Sequence, residues 1–191
     1  MLIRLRKFLK ARDGLAAIEF AFIAPLLVTM LLGTVEVSNA LECRQKVTML
    51  ASSAADLVAQ TASVSSSDMT NIFNAVTAIV YPFPQSTTVI VISSVMSDGN
   101  GGGTVAWSQA NSGAALTAGS AVAFSTPIMS TCNTAVASSC TPCAKNACSV
   151  IMAQITYNYT SPIGHFLVGS ISMSDHFYAR PRKSASVAYT G

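Results

Sequence analysis

Residues 15–35 read LAAIEFAFIAPLLVTMLLGTV, and the fold of the chain turns on what this stretch is. Its only ionisable side chain is Glu19, and the 16 residues from Phe20 to Val35 contain none. An α-helix needs about 20 apolar residues to cross a bilayer, and the run counted from Leu15 has 21. Just before it, Arg4, Arg6, Lys7, Lys10 and Arg12 stand against Asp13 alone, so residues 1–14 carry +4 while the rest of the chain carries −1. Short basic flanks stay cytoplasmic, which orients the helix with its N-terminus inside. A cleaved secretory signal peptide also starts with a basic region. Here, however, an acid sits near the start of the apolar run, and no small-x-small site follows a short apolar core.

Working outward, the composition points the same way. Hydrophobic residues make up 51% of the chain and charged ones 10%, too apolar for disorder and suited to membrane contact. The 191 residues leave room for one modest domain, or a small domain plus an anchor, and exclude a large multi-domain enzyme. Outside the basic head there is no basic face, so nucleic acid is not an expected partner.

Past Val35 the helical pattern continues but becomes amphipathic. Val47, Leu50, Ala51, Ala54, Leu57 and Val58 recur at three- and four-residue spacing, with Arg44, Lys46, Ser52, Ser53 and Asp56 between them. One continuous helix is therefore expected over 15–60, with 15–35 in lipid and 36–60 packed on a soluble head. At 1.5 Å per residue it is on the order of 70 Å long. Pro25 removes one backbone donor and should bend it.

The head, 61–191, reads as α+β. Ser67 can cap a second helix from about Asp68 to Val80, whose apolar face is Met69, Ile72, Phe73, Val76, Ile79 and Val80. Tyr81-Pro82-Phe83-Pro84 ends it. Thr87 to Met96 is a buried-strand pattern, the glycine-rich turn Asp98 to Gly103 follows, and Thr104 to Gln109 reads as the returning strand. Ser149 to Tyr159 gives another strand. Phe166 to Tyr178 gives one or two more, broken near Ser170 or Asp175, and Ala185 to Tyr189 a last short one. The expected head is a helix followed by an antiparallel meander, with the cysteine-rich loop 110–148 inserted between strands.

Gly14-Leu15-Ala16-Ala17-Ile18-Glu19-Phe20 resembles the prepilin processing site of the Tad/Flp branch of type IV pilins: glycine, a cut, four small or apolar residues, then Glu and an aromatic. The likeness extends back to the basic leader 1–14, ending Arg12-Asp13-Gly14, and forward to Ala21-Phe22-Ile23-Ala24-Pro25. Arg180-Pro181-Arg182 looks like the closing motif of TadE-like proteins. The chain thus resembles the TadE/TadG-like minor pilins, or pseudopilins.

That resemblance implies a pilin-like α+β fold in the bacterial inner membrane, single-pass, with a cytoplasmic N-terminus and a periplasmic head. It implies cleavage after Gly14 by a prepilin peptidase, entry into the pilus, contacts with other pilins and Tad assembly proteins, and a downstream role in adherence and biofilm formation. An uncleaved, membrane-anchored periplasmic assembly factor of the same system is the alternative. Glycine at the cut lets the backbone approach the carboxylates of an aspartyl peptidase closely. A carboxylate at mid-bilayer costs about 2.5–3.5 kcal/mol, so Glu19 is expected to have a partner. The resemblance makes that partner the N-terminal amine of a neighbouring subunit; the other reading has Glu19 snorkel into interfacial water. Glu36, where the apolar run ends, reads as an interfacial charge.

Cys132, Cys140, Cys143 and Cys148 fall within 17 residues, and Cys43 stands alone on the long helix. In a periplasmic head an even cluster reads as disulfides, with three possible pairings. A metal is not expected, since Cys140-x2-Cys143 has zinc-ligand spacing but no second pair. Cys43 reads as a packing thiol. His165 and His176 sit in no nucleophile or metal motif, and the glycine run lacks the Lys-Ser/Thr ending of a phosphate loop. Neither an enzyme nor a cofactor is expected.

Overall fold

The computed structural model describes residues 14–124, 128–132, 140–161 and 169–191, and of Leu15, Thr131, Cys132 and Cys140 the backbone alone. The leader up to Asp13 lies outside these residues, as does His165.

Helix α1 spans Leu15–Ala59 and passes through Pro25 without interruption. Its two halves meet different surroundings. In the first, Phe22 is 81% and Leu31 63% exposed, and the most apolar window is 0% buried within the chain. The few hydroxyls there turn inward: Thr29 Oγ1 donates to the Leu26 carbonyl and Thr34 Oγ1 to that of Leu31, each at 2.8 Å, which satisfies them without water. In the second half Cys43, Val47, Leu50, Ala51, Ala54, Ala55, Val58 and Ala59 are buried. Their spacing of three and four makes one stripe. Leu57, expected on that stripe, falls off it and is exposed, while Ala55 takes its place. The small alanines let the helix lie close across the sheet.

After β1 (Ser63–Val64) comes α2 (Ser66–Thr77). Its cap is Ser65, two residues earlier than expected. The Ser65 hydroxyl accepts from the Asp68 N–H at 3.3 Å, and the Asp68 carboxylate accepts from the Ser65 N–H at 2.9 Å. Asp68 stands three residues after Ser65, so only that choice completes a reciprocal capping box. Met69, Phe73 and Val76 bury against α1, and two 3₁₀ turns, Ala78–Val80 and Gln85–Thr87, flank the cis Tyr81–Pro82 bond.

The main sheet comprises β2 (Thr88–Ser97), β3 (Gly103–Ala110), β4 (Ala121–Val122), β7 (Ser149–Thr160) and β8 (Ser170–Ala179), in the order β4-β3-β2-β7-β8. It is antiparallel as expected, although the strands are not joined in simple succession. The chain returns through the cysteine loop to pair β7 with β2 instead of β3. That placement makes β2 a central strand, and its near-continuous apolar run follows from cover on both faces, Ile90 and Ile92 meeting the helices and Val95 meeting Met129 of the cysteine loop. β8 is one unbroken strand from Ser170, with Asp175 paired opposite Ile155. Of the two expected break points, Ser170 is where β8 begins, with 166–168 outside the described residues, and at Asp175 the strand runs on, its carboxylate accepting from Thr48 of α1. In the turn after β2, Asp98 Oδ1 accepts from Asn100 N–H at 2.7 Å and Gly102 N–H at 3.1 Å. A Cβ on Gly103 would stand 2.4 Å from Val95 Cγ1, so this position needs glycine.

Two cores result. On the helix side of the sheet, Ile90, Ile92, Ile151, Ala153, Ile155, Tyr157, Tyr159 and Met173 meet α1 and α2. On the other side, Val95, Val150 and Met152 meet Met129 of the cysteine loop. That loop carries a small two-stranded sheet of β5 (Ser130–Cys132) and β6 (Cys140–Pro142). The last strand, β9, covers only Ala188–Tyr189 of the expected 185–189, because its parallel partner β1 has two residues.

Candidate functional site

Gly14 is the N-cap of α1, with no side-chain cap, and among the described residues nothing lies within 4 Å of the place where a Cβ would stand. The helix starts at the next residue, Leu15. Glu19 and Phe20 follow within its first two turns, both exposed, and Phe22, Leu26 and Leu31 continue an uncovered apolar surface. Gly14, Leu15, Glu19 and Phe20 thus lie together at the end of the helix whose apolar half no described residue of the head covers.

Where the helix reaches the head, a set of polar contacts grips it. Glu36 stands at the boundary near Tyr159, whose phenol is pushed up first by burial and then by the Glu36 charge. The Tyr159 ring meets Phe83 edge-on at 5.9 Å. Two turns past the boundary Cys43 is fully buried, and burial, then the neighbouring Glu42, push its thiol up to about 11, partly offset by Lys46. Arg44 Nη1 donates to the Ser174 carbonyl at 2.7 Å, and Thr48 Oγ1 donates to Asp175 Oδ2 at 2.5 Å. Burial raises the Asp175 carboxyl, but the Thr48 hydroxyl, the His176 N–H and Arg44 outweigh it and hold the group below its ordinary value. At the far end, Asp56 pairs with Arg182, whose backbone N–H donates to the Ala59 carbonyl at 2.8 Å.

Sequence reasoning singled out Arg180-Pro181-Arg182 and missed what it holds. Arg182 grips α1 through Asp56, while Arg180 Nη2 donates to the Ile128 and Ser130 carbonyls at 3.2 and 3.4 Å, across the sheet edge in the cysteine loop. The motif ties the helix and the loop to the end of β8. An open groove of about 650 Å³, lined by Ser52, Ser53, Asp56, Phe177, Arg180 and Arg182, lies along this join. Asp56 and Arg182 were each visible in the sequence, one as an acid beside the apolar stripe and the other in the Arg-Pro-Arg motif, but nothing local linked two residues 126 apart.

Of the cysteine candidates, Cys143 and Cys148 are joined as a disulfide with Cα atoms 5.9 Å apart. Cys132 and Cys140 face one another in the register of β5 and β6. Among the described residues no group of three or more His, Cys, Asp and Glu is placed to hold a metal. His176 follows Asp175 in β8, so the two side chains point to opposite faces of the sheet. Its ring lies 5.4 Å from that of Tyr178.

These features define a class: an α+β head carried on one long N-terminal helix whose first half is apolar and uncovered, the pattern of a single membrane anchor. The family described as TadE-like protein matches residues 14–56. The match begins at the cap glycine and ends at the aspartate held by Arg182, so it covers the helix and not the head. Comparison with curated proteins and with solved structures found no match.

Proposed function

We propose that this chain is a minor pilin, or pseudopilin, precursor of the Tad (Flp) pilus and acts structurally, not as an enzyme. It is inserted in the inner membrane with residues 1–13 cytoplasmic and the head periplasmic. A prepilin peptidase cuts between Gly14 and Leu15, and the mature chain contributes to pilus assembly and surface adherence. The observation that carries this reading is the coincidence at Gly14: the TadE-like match begins there, and the helix begins one residue later. The basic flank supports the orientation. The uncovered apolar half supports a helix that exchanges lipid for other pilin helices on assembly.

Glu19 then pairs with the N-terminal amine of a neighbouring subunit. A carboxylate and an ammonium group brought together in an apolar bundle relieve each other's burial. The test is the N-terminal sequence of the membrane-extracted chain after coexpression with its cognate peptidase. A start at Leu15 supports the proposal, and replacing Gly14 by a bulky residue should abolish that cut. A chain that keeps its leader while pili still form would make it an anchored assembly factor instead.

A further inference from the structure

We propose that Cys132 and Cys140 form a second disulfide, so that the loop over the outer face of the sheet is closed by two consecutive bridges, Cys132–Cys140 and Cys143–Cys148. The backbone register sets these two cysteines opposite one another. β5 and β6 are antiparallel, with Ser130 opposite Pro142, Thr131 opposite Thr141 and Cys132 opposite Cys140. In such a ladder, pairs that exchange hydrogen bonds alternate with pairs that do not. The phase of the alternation is set at the open end of the hairpin, where the Cys143 N–H donates to the Met129 carbonyl at 2.9 Å. Met129 and Cys143 therefore occupy a hydrogen-bonded site, and the next pair, Ser130 and Pro142, occupies a non-hydrogen-bonded one. Proline has no N–H to give, so the two observations agree.

Two residues further on, the same phase puts Cys132 and Cys140 at a non-hydrogen-bonded site. Cα atoms at such sites are about 4.5 Å apart and side chains are at their closest. That separation lies within the roughly 4.4–6.8 Å a disulfide requires.

The other pairings conflict with the register. Cys143 stands three residues along the partner strand from Cys140, about 10 Å at the rise of an extended chain, and beyond the roughly 7 Å limit for a bridge. Sliding the hairpin by three residues would also turn every side chain of one strand to the opposite face. Cys148 is held elsewhere: its N–H donates to Ser97 Oγ at 3.2 Å, and its carbonyl accepts from the Ser97 N–H at 2.8 Å, at the end of β2. Formation needs an oxidised disulfide donor. One cysteine thiolate attacks the donor's S–S bond, giving a mixed disulfide and a donor thiolate. The second cysteine thiolate attacks the mixed disulfide at the protein sulfur, forming Cys132–Cys140 and releasing the other donor sulfur. Two protein thiols become one disulfide, and the donor leaves as a dithiol carrying the two hydrogens. The inference is independent of the pilin reading.

The experiment uses the full-length chain in detergent, equilibrated with oxidised and reduced glutathione, then denatured without reductant and treated with N-ethylmaleimide. One adduct is expected, at Cys43. Trypsin cuts after Lys145 and separates Cys143 from Cys148, and elastase cuts near Val136 and separates Cys132 from Cys140. Fragment spectra that break the chain between Cys140 and Cys143 then assign each partner. In Cys143→Ser/Cys148→Ser, the remaining pair should stay bridged and the chain should again take one adduct. Adducts or glutathione at Cys132 and Cys140 in the unsubstituted chain, or a bridge from Cys132 to Cys143 or Cys148, would overturn the assignment whether or not the variant folds.

Discussion

Leu31 and Met49 lie on the same helix and are about equally exposed, 63% and 60%. Leu31 is surrounded by other uncovered apolar residues, whereas Met49 is a single apolar side chain beside the buried stripe of Val47 and Leu50. The comparison of the two halves of α1 teaches that exposure by itself does not mark a membrane segment. What marks it is exposure on every face at once; a hydroxyl turned to a backbone carbonyl does not, since Ser52 Oγ on the packed half donates to the Met49 carbonyl just as Thr29 and Thr34 do in the apolar half. The half on the head has one buried stripe, flanked by Arg44 and Asp56, which reach back to the head, and its free face carries Glu42 and Gln45.

The sharpest way to break this contrast is to place a charge in each half. Ala54→Asp would bury an unpaired carboxylate against the sheet, a cost of several kcal/mol, and the head should lose its cooperative thermal transition. Leu31→Asp should leave the transition of the head unchanged while weakening membrane insertion by about 2.5–3.5 kcal/mol. Equal damage to the head from both variants would mean that the halves are not separate environments.

A smaller effect is expected from truncation. Leu50→Ala removes a fully buried side chain and should cost about 2–5 kcal/mol in chemical denaturation. Phe22→Ala should cost the head nothing in the same assay.

The pH dependence sharpens the boundary between the halves. The Cys43 thiol is raised from 9.0 to about 11, so the folded state keeps its proton where the unfolded state loses it. Stability from this group is present below pH 9.0 and should fall as pH rises from there to about 11. Cys43→Ala should flatten that alkaline limb of the denaturation midpoint. Asp175 has the opposite sign: its folded value lies below 3.8. Its contribution is present above 3.8 and is lost as pH falls through the lower folded value. Asp175→Asn should remove that acid-side dependence. The least effect belongs to the Asp56–Arg182 pair, whose members are partly exposed. Arg182→Ala should change stability by about 0–1 kcal/mol, less in high salt.

How much of this was legible in the sequence differs between the regions. The extent of α1, the glycine turn and the β2–β3 hairpin were readable, because periodicity and turn chemistry are local. The stripe on its packed half was readable except at Leu57, where a step of three from Ala54 runs off the buried face. The cap of α2 was misplaced from Ser65 to Ser67 because three serines stand in a row, and only the reciprocal bond with Asp68 selects among them. β1 and β9 have two residues each, too few to show a period of two. Their pairing rests on the tail folding back, with the Thr190 N–H donating to the Val64 carbonyl at 2.9 Å. The partners of Arg44, Arg180 and Arg182 are set by the sheet order, which no local pattern encodes. At the candidate site, Gly14, Leu15, Glu19 and Phe20 were singled out by the resemblance of that stretch to a prepilin processing site; the clamp that holds the helix to the head had no such local pattern.

The most direct test compares the two equally exposed positions in lipid. In a Trp107→Phe background, which removes the only tryptophan, Leu31→Trp and Met49→Trp each provide one fluorophore. The chain is reconstituted at low density in vesicles containing lipids brominated along the acyl chain. Strong quenching at position 31 with little at position 49 is the predicted result, and equal quenching at both, or none at position 31, would contradict the account.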